Sequence, residues 1–410
     1  MSTRPDAALV VCEDGRVFHG DAWAAPGRSF GELVFTTGMT GYQETLTDPS
    51  FAGQLVVATA PHVGNTGMNG RDAESGRIQV AGYVARDPAR SPSSWRSERS
   101  LDAALVDAGV VGVAGVDTRA LTRHLCAAGS MRGLVTSAPA DLARPVADLV
   151  REVLDQPPMA GADLVEEVAT RTPYVVPTVG RRRATVVAID LGIKSSSPAE
   201  MAARALEVHV LPAAVTIADV LRVGDDGPDG VFFSNGPGDP ATQQGPVDLA
   251  RAVLSRAIPL FGICFGNQIL GRALGLGTYK LPYGHRGLNI PVLDRLTGRV
   301  AITAQNHGFA VAAPDEPGPG TAAGHGAGPG AGQPRGTAAV LPSAAPFDTP
   351  FGRARVSHVC LNDGSVEGLS CLDVPAFSVQ YHPEAAAGPH DANPLFDQFA
   401  ELVAARTGER

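Results

Sequence analysis

Residues 259–270 read PLFGICFGNQIL, with Cys264 at their centre. An apolar run, Ile258, Leu260, Phe261 and Ile263, leads in, and Gly262 and Gly266 flank the cysteine. Beyond it Ile269, Leu270, Ala273 and Leu274 recur at helical spacing. The pattern is a buried strand, a sharp turn and a helix, with a thiol where G-x-S-x-G elbows carry a hydroxyl. Flanking glycines permit a strained turn that lifts the side chain clear of a sheet. A helix N-terminus beside the sulfur favours thiolate over thiol. A buried structural cysteine at a strand end would read the same way, so the rest of the chain has to decide.

Composition sets the frame. A chain of 410 residues holds two or three domains at roughly 100–200 residues each. With 44% hydrophobic and 18% charged residues it can build ample core. A net charge of −9 argues against nucleic acid or an anionic membrane as the main partner. Cysteines 12, 126, 264, 360 and 371 are odd in number and scattered, with no C-x-x-C pair, so neither a disulfide framework nor a zinc site is expected. The opening MSTRPDAALVV lacks signal-peptide architecture, and no apolar run reaches the ~18 residues of a membrane span. A cytoplasmic setting is expected, which would keep Cys264 reduced.

Outward from the elbow, strands and helices alternate. Residues 185–190, 207–211, 230–234 and 258–263 read as strands, separated by helices at 199–206, 217–223 and 246–257. That order predicts a doubly wound, mainly parallel α/β sheet with its site at the carboxyl ends of the strands. Residues 283–291 read as loops, and a strand at 377–381 ends in His382-Pro383-Glu384 before a last helix at 394–405. Ahead of this domain, strands at 7–12, 16–20, 32–37 and 54–59 predict a β-rich α/β domain, with a helix beginning at Asp117. The expected organisation is a first domain at 1–150, a Pro- and Arg-rich linker at 151–183 and a second domain at 184–410. Residues 314–350 hold eight glycines and eight prolines in 37 residues and are expected to be a disordered insertion.

A cysteine nucleophile needs a base and a group that orients the base. His382 directly follows a strand, and Glu384, two residues on, can fix the imidazole tautomer. Attack on an amide also builds an oxyanion, which needs preorganised N–H donors. Phe265, after the nucleophile, offers one, and the turn Asn235-Gly236-Pro237-Gly238-Asp239-Pro240 offers another from Gly236 or Gly238. No G-x-x-x-x-G-K-[ST] loop, H-E-x-x-H or carboxylate–histidine cluster occurs, so neither a nucleotide nor a metal cofactor is expected on this chain.

With GICFG, NGPGDP, NHGF and YHPE in one chain, the second domain resembles the class I (triad) glutamine amidotransferases. The motifs FHGDAW, MTGYQETLTDPSF, PHVGNTG and DTRALTRHL of the first domain, with GHRGLN and AQNHGFAV of the second, resemble the small-chain family of carbamoyl-phosphate synthase. The resemblance implies hydrolysis of glutamine through a cysteinyl thioester. It implies Cys264 as nucleophile, His382 as general base and acid, and Glu384 as its orienter. It places glutamine binding on Ser50, Gly236, Gly238, Phe265, Gln268, Asn306, Gly308 and Phe309. It also implies a large partner subunit that carries ATP and Mg²⁺, takes bicarbonate and receives ammonia, in heterodimers that can assemble further. The product, carbamoyl phosphate, feeds pyrimidine and arginine synthesis. Two departures stand out: Asn267 where many relatives carry histidine, and the 314–350 insertion. An amidotransferase serving another acceptor, or a non-catalytic regulatory subunit, would share the second domain; the first domain and the intact triad argue against both.

Overall fold

Ala7–Cys12 (β1) and Val17–Ala24 (β2) pair antiparallel across a turn at Gly15, whose φ of 89° suits glycine. In β1 almost every side chain is buried, because both of its faces are covered. Ala8, Val10 and Cys12 join one apolar cluster, while Leu9 and Val11 join another. The strands Arg28–Thr36 (β3), Gln54–Ala58 (β4), Gly82–Val84 (β5), Val111–Ala114 (β6) and Met131–Thr136 (β7) complete a closed barrel ordered β1-β2-β6-β5-β4-β3-β7. Closure leaves no open sheet edge. The β3-β4-β5-β6 pairings are parallel, and the others are antiparallel. Helix α1 (Thr118–Ala128) starts where expected: Asp117 Oδ1 accepts from the Ala120 N–H at 2.9 Å. Its Leu121 and Leu125 pack into the cluster of Val10 and Val113.

In this computed structural model, residues 6–224, 226–314 and 341–408 are described. They divide into two compact units, 1–162 and 163–410. The division differs from the expected linker at 151–183. Helix α2 (Val146–Leu154) runs through residue 151, where the expected linker begins, and belongs to the first unit, since Leu149 and Val153 pack on Leu9, Val11 and Leu134. Val165 packs instead into the second unit's core, and the Thr170 N–H donates to Asp190 Oδ2 at 2.8 Å. Prolines mark the segment without unfolding it.

The second unit is built on a sheet whose parallel centre is Leu206–Pro212 (β10), Ala184–Asp190 (β9), Gly230–Phe233 (β11), Leu260–Ile263 (β12) and Ala376–Val379 (β18), in that order. Tyr174–Val176 (β8) adds antiparallel at one edge. At the other, Val366–Cys371 (β17), Val300–Val311 (β14), Thr278–Asp294 (β13), Gly352–Cys360 (β16) and Phe347–Thr349 (β15) extend the sheet antiparallel. The doubly wound parallel expectation thus describes the centre, while the extension lies beyond it. Alternation along β9 assigns the two faces. Val187 and Ile189 pack towards Gln244–Leu254 (α4) and Phe265–Ala273 (α5), and Val186 and Ala188 towards Ser196–Ala203 (α3) and Leu395–Thr407 (α6). Phe261 of β12 is fully buried among Phe232, Phe377, Phe396 and Phe399 and stacks on Phe377 at 4.5 Å between ring centroids. Burying such a ring contributes about 2–3 kcal/mol, so the elbow strand is firmly seated.

Two expectations need correction here, and one unassigned stretch proves to be a strand. Residues 283–291 are not loops but part of β13, whose register against β14 shifts on either side of His285–Gly287. The NHGF stretch also lies in a strand, β14. Of the 314–350 segment, residues 315–340 lie outside the described residues, while Phe347–Thr349 form β15, paired with β16. Among the described residues no helix is long and apolar enough to cross a membrane.

Candidate active site

Cys264 stands between β12 and α5 with φ 56° and ψ −100°, a strained conformation for a residue with a Cβ. The surroundings over-determine it. The Cys264 N–H donates to the Val379 carbonyl at 2.8 Å, and its own carbonyl accepts from the N–H groups of Asn267 and Gln268. The flanking glycines serve close approach rather than the strain itself. A Cβ on Gly266 would lie 2.2 Å from the Phe233 oxygen, and one on Gly262 would lie 2.6 Å from the Gly266 oxygen. Phe265 opens α5, where first-turn N–H groups have no intrahelical acceptor.

His382 enters from the end of β18. Its N–H donates to the Ala304 carbonyl at 2.9 Å, which moors it beside β14. Its Nδ1 lies 2.8 Å from Glu384 Oε1, and Nε2 is buried without a hydrogen bond. Burial alone would push the imidazole down. The Glu384 carboxylate outweighs that, Lys194 opposes and the Cys264 sulfur adds to it, so the group is raised to about 10. Burial would push Glu384 up, but Lys194 and His382 hold it down at about 2. Lys194 Nζ is 3.3 Å from Glu384 Oε1, and both side chains are buried. The sign follows from the depressed Glu384. Its ionisation stabilises the fold above the ordinary carboxylate range near 4.5, and that contribution is lost as pH falls towards 2.

Lys194 is the residue that sequence reasoning missed. It follows Asp190-Leu191-Gly192 at the end of β9, where a network of hydrogen bonds sets the loop. Asp190 Oδ1 accepts from the N–H groups of Gly192 and Ile193, and Asn235 Oδ1 accepts from the Lys194 N–H at 3.2 Å. Asn235 Nδ2 donates to the Gly192 carbonyl, and Ser234 Oγ accepts from the Leu191 N–H. These bonds tie the loop after β9 to the 235–240 turn after β11. Within that turn a Cβ on Gly236 would sit 2.2 Å from the Leu191 oxygen, and Gly238 has φ 84°.

The remaining expected substrate positions of this unit lie on α5 and β14. The Cys264 thiol donates to the Asn306 carbonyl at a sulfur–oxygen distance of 3.6 Å. Gln268 Nε2 donates to the Phe309 carbonyl at 2.8 Å and lies 3.1 Å from Gln380 Oε1, so its amide nitrogen ties α5 to β14 and to Gln380. Asn306 and Phe309 are buried, and Gly308 lies between His307 and Phe309. Asn267, the family departure, is wholly buried: it donates to Gln380 Oε1 at 3.2 Å and accepts from Ser378 Oγ at 2.9 Å. Ser50 belongs to the first unit, buried in the short turn Pro49–Phe51, where its N–H donates to Asp48 Oδ1 at 2.9 Å. Two groups of potential metal ligands come together among the described residues: Cys12, Asp14 and His124, and His285, Cys360 and Glu367. In the second, burial and nearby carboxylates push the Cys360 thiol up. None of the five cysteines forms a disulfide.

A strained buried thiol beside a carboxylate-oriented imidazole, at the end of a parallel sheet, is an arrangement for nucleophilic attack on an acyl carbon. Comparison with known proteins narrows the chemistry. Residues 10–135 match the family model described as carbamoyl-phosphate synthase small chain, CPSase domain, and residues 187–323 and 346–402 match glutamine amidotransferase class-I. The carbamoyl phosphate synthase small chain of Streptomyces avermitilis is 60% identical over 396 residues, covering 97% of this chain and 96% of that one. Its counterpart in Mycobacterium tuberculosis is 55% identical over 402 residues, covering 97% and 98%. That of Corynebacterium diphtheriae is 50% identical over 400 residues, covering 97% of each. The chain belongs to the carbamoyl-phosphate synthase small-chain family, and its second unit to the class I glutamine amidotransferases.

Proposed function

We propose that this chain is the glutamine-hydrolysing subunit of a carbamoyl-phosphate synthase, and that Cys264, His382 and Glu384 carry its chemistry. The supporting observation is the elbow: a cysteine held at φ 56° on a helix N-terminus, with an imidazole fixed by a carboxylate at 2.8 Å at the adjacent strand end. Cys264 Sγ and His382 Nε2 share one proton; with it on the raised imidazole, the thiolate attacks the side-chain amide carbon of glutamine. The oxyanion that forms takes hydrogen bonds from the Phe265 N–H and from the glycine turn at 236–238. His382 then gives the proton to the departing nitrogen, and ammonia leaves behind a γ-glutamyl thioester. Water, deprotonated by His382, attacks the thioester carbon, releasing glutamate and restoring the thiol. Glu384 keeps the imidazole in the tautomer whose Nε2 faces the sulfur, and Lys194 keeps Glu384 ionised. Gly236, Gly238, Gln268, Asn306, Gly308 and Phe309 shape the glutamine site.

Ammonia goes to a large synthetase subunit, which combines it with bicarbonate at the expense of ATP; ATP and Mg²⁺ belong on that subunit, and no cofactor on this one. The complex works in the cytoplasm, as heterodimers able to associate further, and its product serves pyrimidine and arginine synthesis. The test is to co-purify this chain with a large synthetase chain and assay both nitrogen sources. Glutamine should yield carbamoyl phosphate together with glutamate, and ammonia should replace glutamine. Glutamate release without any transfer to bicarbonate would instead mean another acceptor.

Lys194 supplies a separate expected result. In Lys194→Met the charge that opposes burial of Glu384 is gone, so Glu384 binds its proton more readily. The acid limb of the glutaminase profile then moves up by about one pH unit, ~1.4 kcal/mol of lost interaction with the carboxylate. A pH–rate series on wild type and variant checks this; an unmoved acid limb contradicts the assignment.

A further inference from the structure

Behind the glutamine site lies a buried polar chain that the reaction scheme does not use. On β13 and β14, His285 stands opposite His307 in register, between two register shifts, and their rings meet edge to face at 4.9 Å. Such irregularities re-aim side chains inside a ladder. His307 Nδ1 lies 2.8 Å from the Phe309 carbonyl, the same carbonyl that accepts from Gln268. Its Nε2 lies 2.6 Å from Gln305 Oε1. Gln305 Nε2 in turn lies 2.9 Å from Glu367 Oε2, and Glu367 Oε1 is 3.5 Å from His285 Nδ1. Asp363 Oδ2 holds the other side of His285 at 2.9 Å. The side chains of Glu367 and His307 have almost no exposure to solvent.

The proton count makes this chain consequential. Burial, with His285 and Arg286 nearby, drives His307 well below the usual histidine range, so its ring is neutral and carries a single N–H. One N–H cannot serve both the Phe309 carbonyl and the Gln305 oxygen. If the Gln305 amide turns half a revolution, its NH₂ donates to His307 Nε2, and the His307 N–H is left for Phe309. The Gln305 oxygen then faces Glu367, which must supply a proton. Gln305 Nε2 also lies 3.3 Å from Thr303 Oγ1, which gives its own proton to the Ile290 carbonyl, so the group at 367 decides together with Thr303 how the amide points and which nitrogen of His307 is protonated. That in turn decides whether the Phe309 carbonyl is held from both sides.

We propose that Glu367 is a positioning residue for the glutamine site: through the Gln305 amide it sets the His307 tautomer, and so fixes the Phe309 end of the pocket wall. His285, itself held by Asp363, and the Ser365 hydroxyl, which donates to Glu367 Oε1 at 3.3 Å, keep Glu367 in place, and the group touches neither substrate nor the reacting atoms. The proposal rests on the reading of residues 306–309 as part of the glutamine site. It is a statement about ground-state binding, so it acts on KM rather than kcat.

The experiment uses the full complex and compares Glu367→Leu with Glu367→Gln. Leucine removes the hydrogen bond between position 367 and Gln305 while leaving those of Gln305 to Thr303 and His307, and the KM for glutamine should rise by about tenfold with kcat within about threefold. An amide at 367 can donate to or accept from Gln305, so Glu367→Gln should bring KM back to within about threefold of wild type. Ammonia-dependent synthesis by the same preparations reports assembly. If Glu367→Leu does not assemble, Gln305→Met, which breaks the chain at the next link while leaving His285 and Glu367 in place, carries the same expectation. Unchanged KM in the assembled variant, or an equal loss in Glu367→Leu and Glu367→Gln, would overturn the proposal. A wild-type complex that does not hydrolyse glutamine would instead overturn the functional reading on which it rests.

Discussion

Cys264→Ala should abolish glutamine-dependent synthesis of carbamoyl phosphate while leaving ammonia-dependent synthesis by the complex within about twofold of wild type. The thiol is buried, and its contact is the Asn306 carbonyl at 3.6 Å, so little packing is lost with the sulfur. Alanine keeps the Cβ and meets the same backbone demand at φ 56° as cysteine does. What disappears is the nucleophile. The loss of glutaminase activity should be at least a thousandfold, ~4 kcal/mol of transition-state stabilisation. Side-by-side assays with the two nitrogen sources separate this from misassembly, since a variant that fails to dock would lose both activities. Cys264→Ser, whose hydroxyl is a far weaker nucleophile beside the same base, should behave almost as badly.

Gly266→Ala should be nearly as damaging to glutaminase, by a different route. The added Cβ would lie 2.2 Å from the Phe233 oxygen and 2.8 Å from its carbonyl carbon, and these are backbone atoms in the middle of the sheet. They cannot step aside, so α5 must move away from β11. The helix carries Phe265 and its N–H at its first position, and Cys264 is its N-cap. Displacement by a few tenths of an ångström degrades both nucleophile and oxyanion donor, and a fall of about a hundredfold in kcat is expected. Overpacking of this kind costs about 1–3 kcal/mol, a drop of roughly 2–12 °C in Tm for a unit of this size. Gly245→Ala is the control. A Cβ there meets nothing within 4 Å, in the first turn of α4, so stability and activity should be unchanged or slightly improved. Thermal melts and glutaminase assays on the two variants decide; equal behaviour would contradict the close-approach account.

The strand–turn–helix at Cys264 and the pairing of His382 with Glu384 were legible because their signals are local. A strand–turn–helix pattern surrounds Cys264, and His382 and Glu384 lie two residues apart at a strand end. Lys194 was not legible, because its role depends on being buried against a carboxylate 190 positions away, which no spacing rule encodes. The strand character of 300–311 was hidden for a related reason. Residues 303–307 are all buried, so the alternation that marks a half-exposed strand is absent. In 283–291 the glycines and Pro291 imitate a loop, yet the register shifts accommodate them inside a ladder. The 151–183 stretch misled through its prolines, since Leu149 and Val153 reveal their partners only once β1 and β7 are folded. Closure of the first unit's barrel rests on parallel pairings between β3, β4, β5 and β6, which come from distant parts of the chain.

The central claim is that Cys264 carries the glutamyl group during turnover. Acid-quenching the complex during steady-state hydrolysis of isotopically labelled glutamine, followed by peptide mapping, tests it most directly. The account predicts label on the peptide that contains Cys264, as an acyl adduct labile to hydroxylamine, and none in Cys264→Ala. Steady glutamate release with no adduct on that peptide, or with the adduct on another residue, would contradict it.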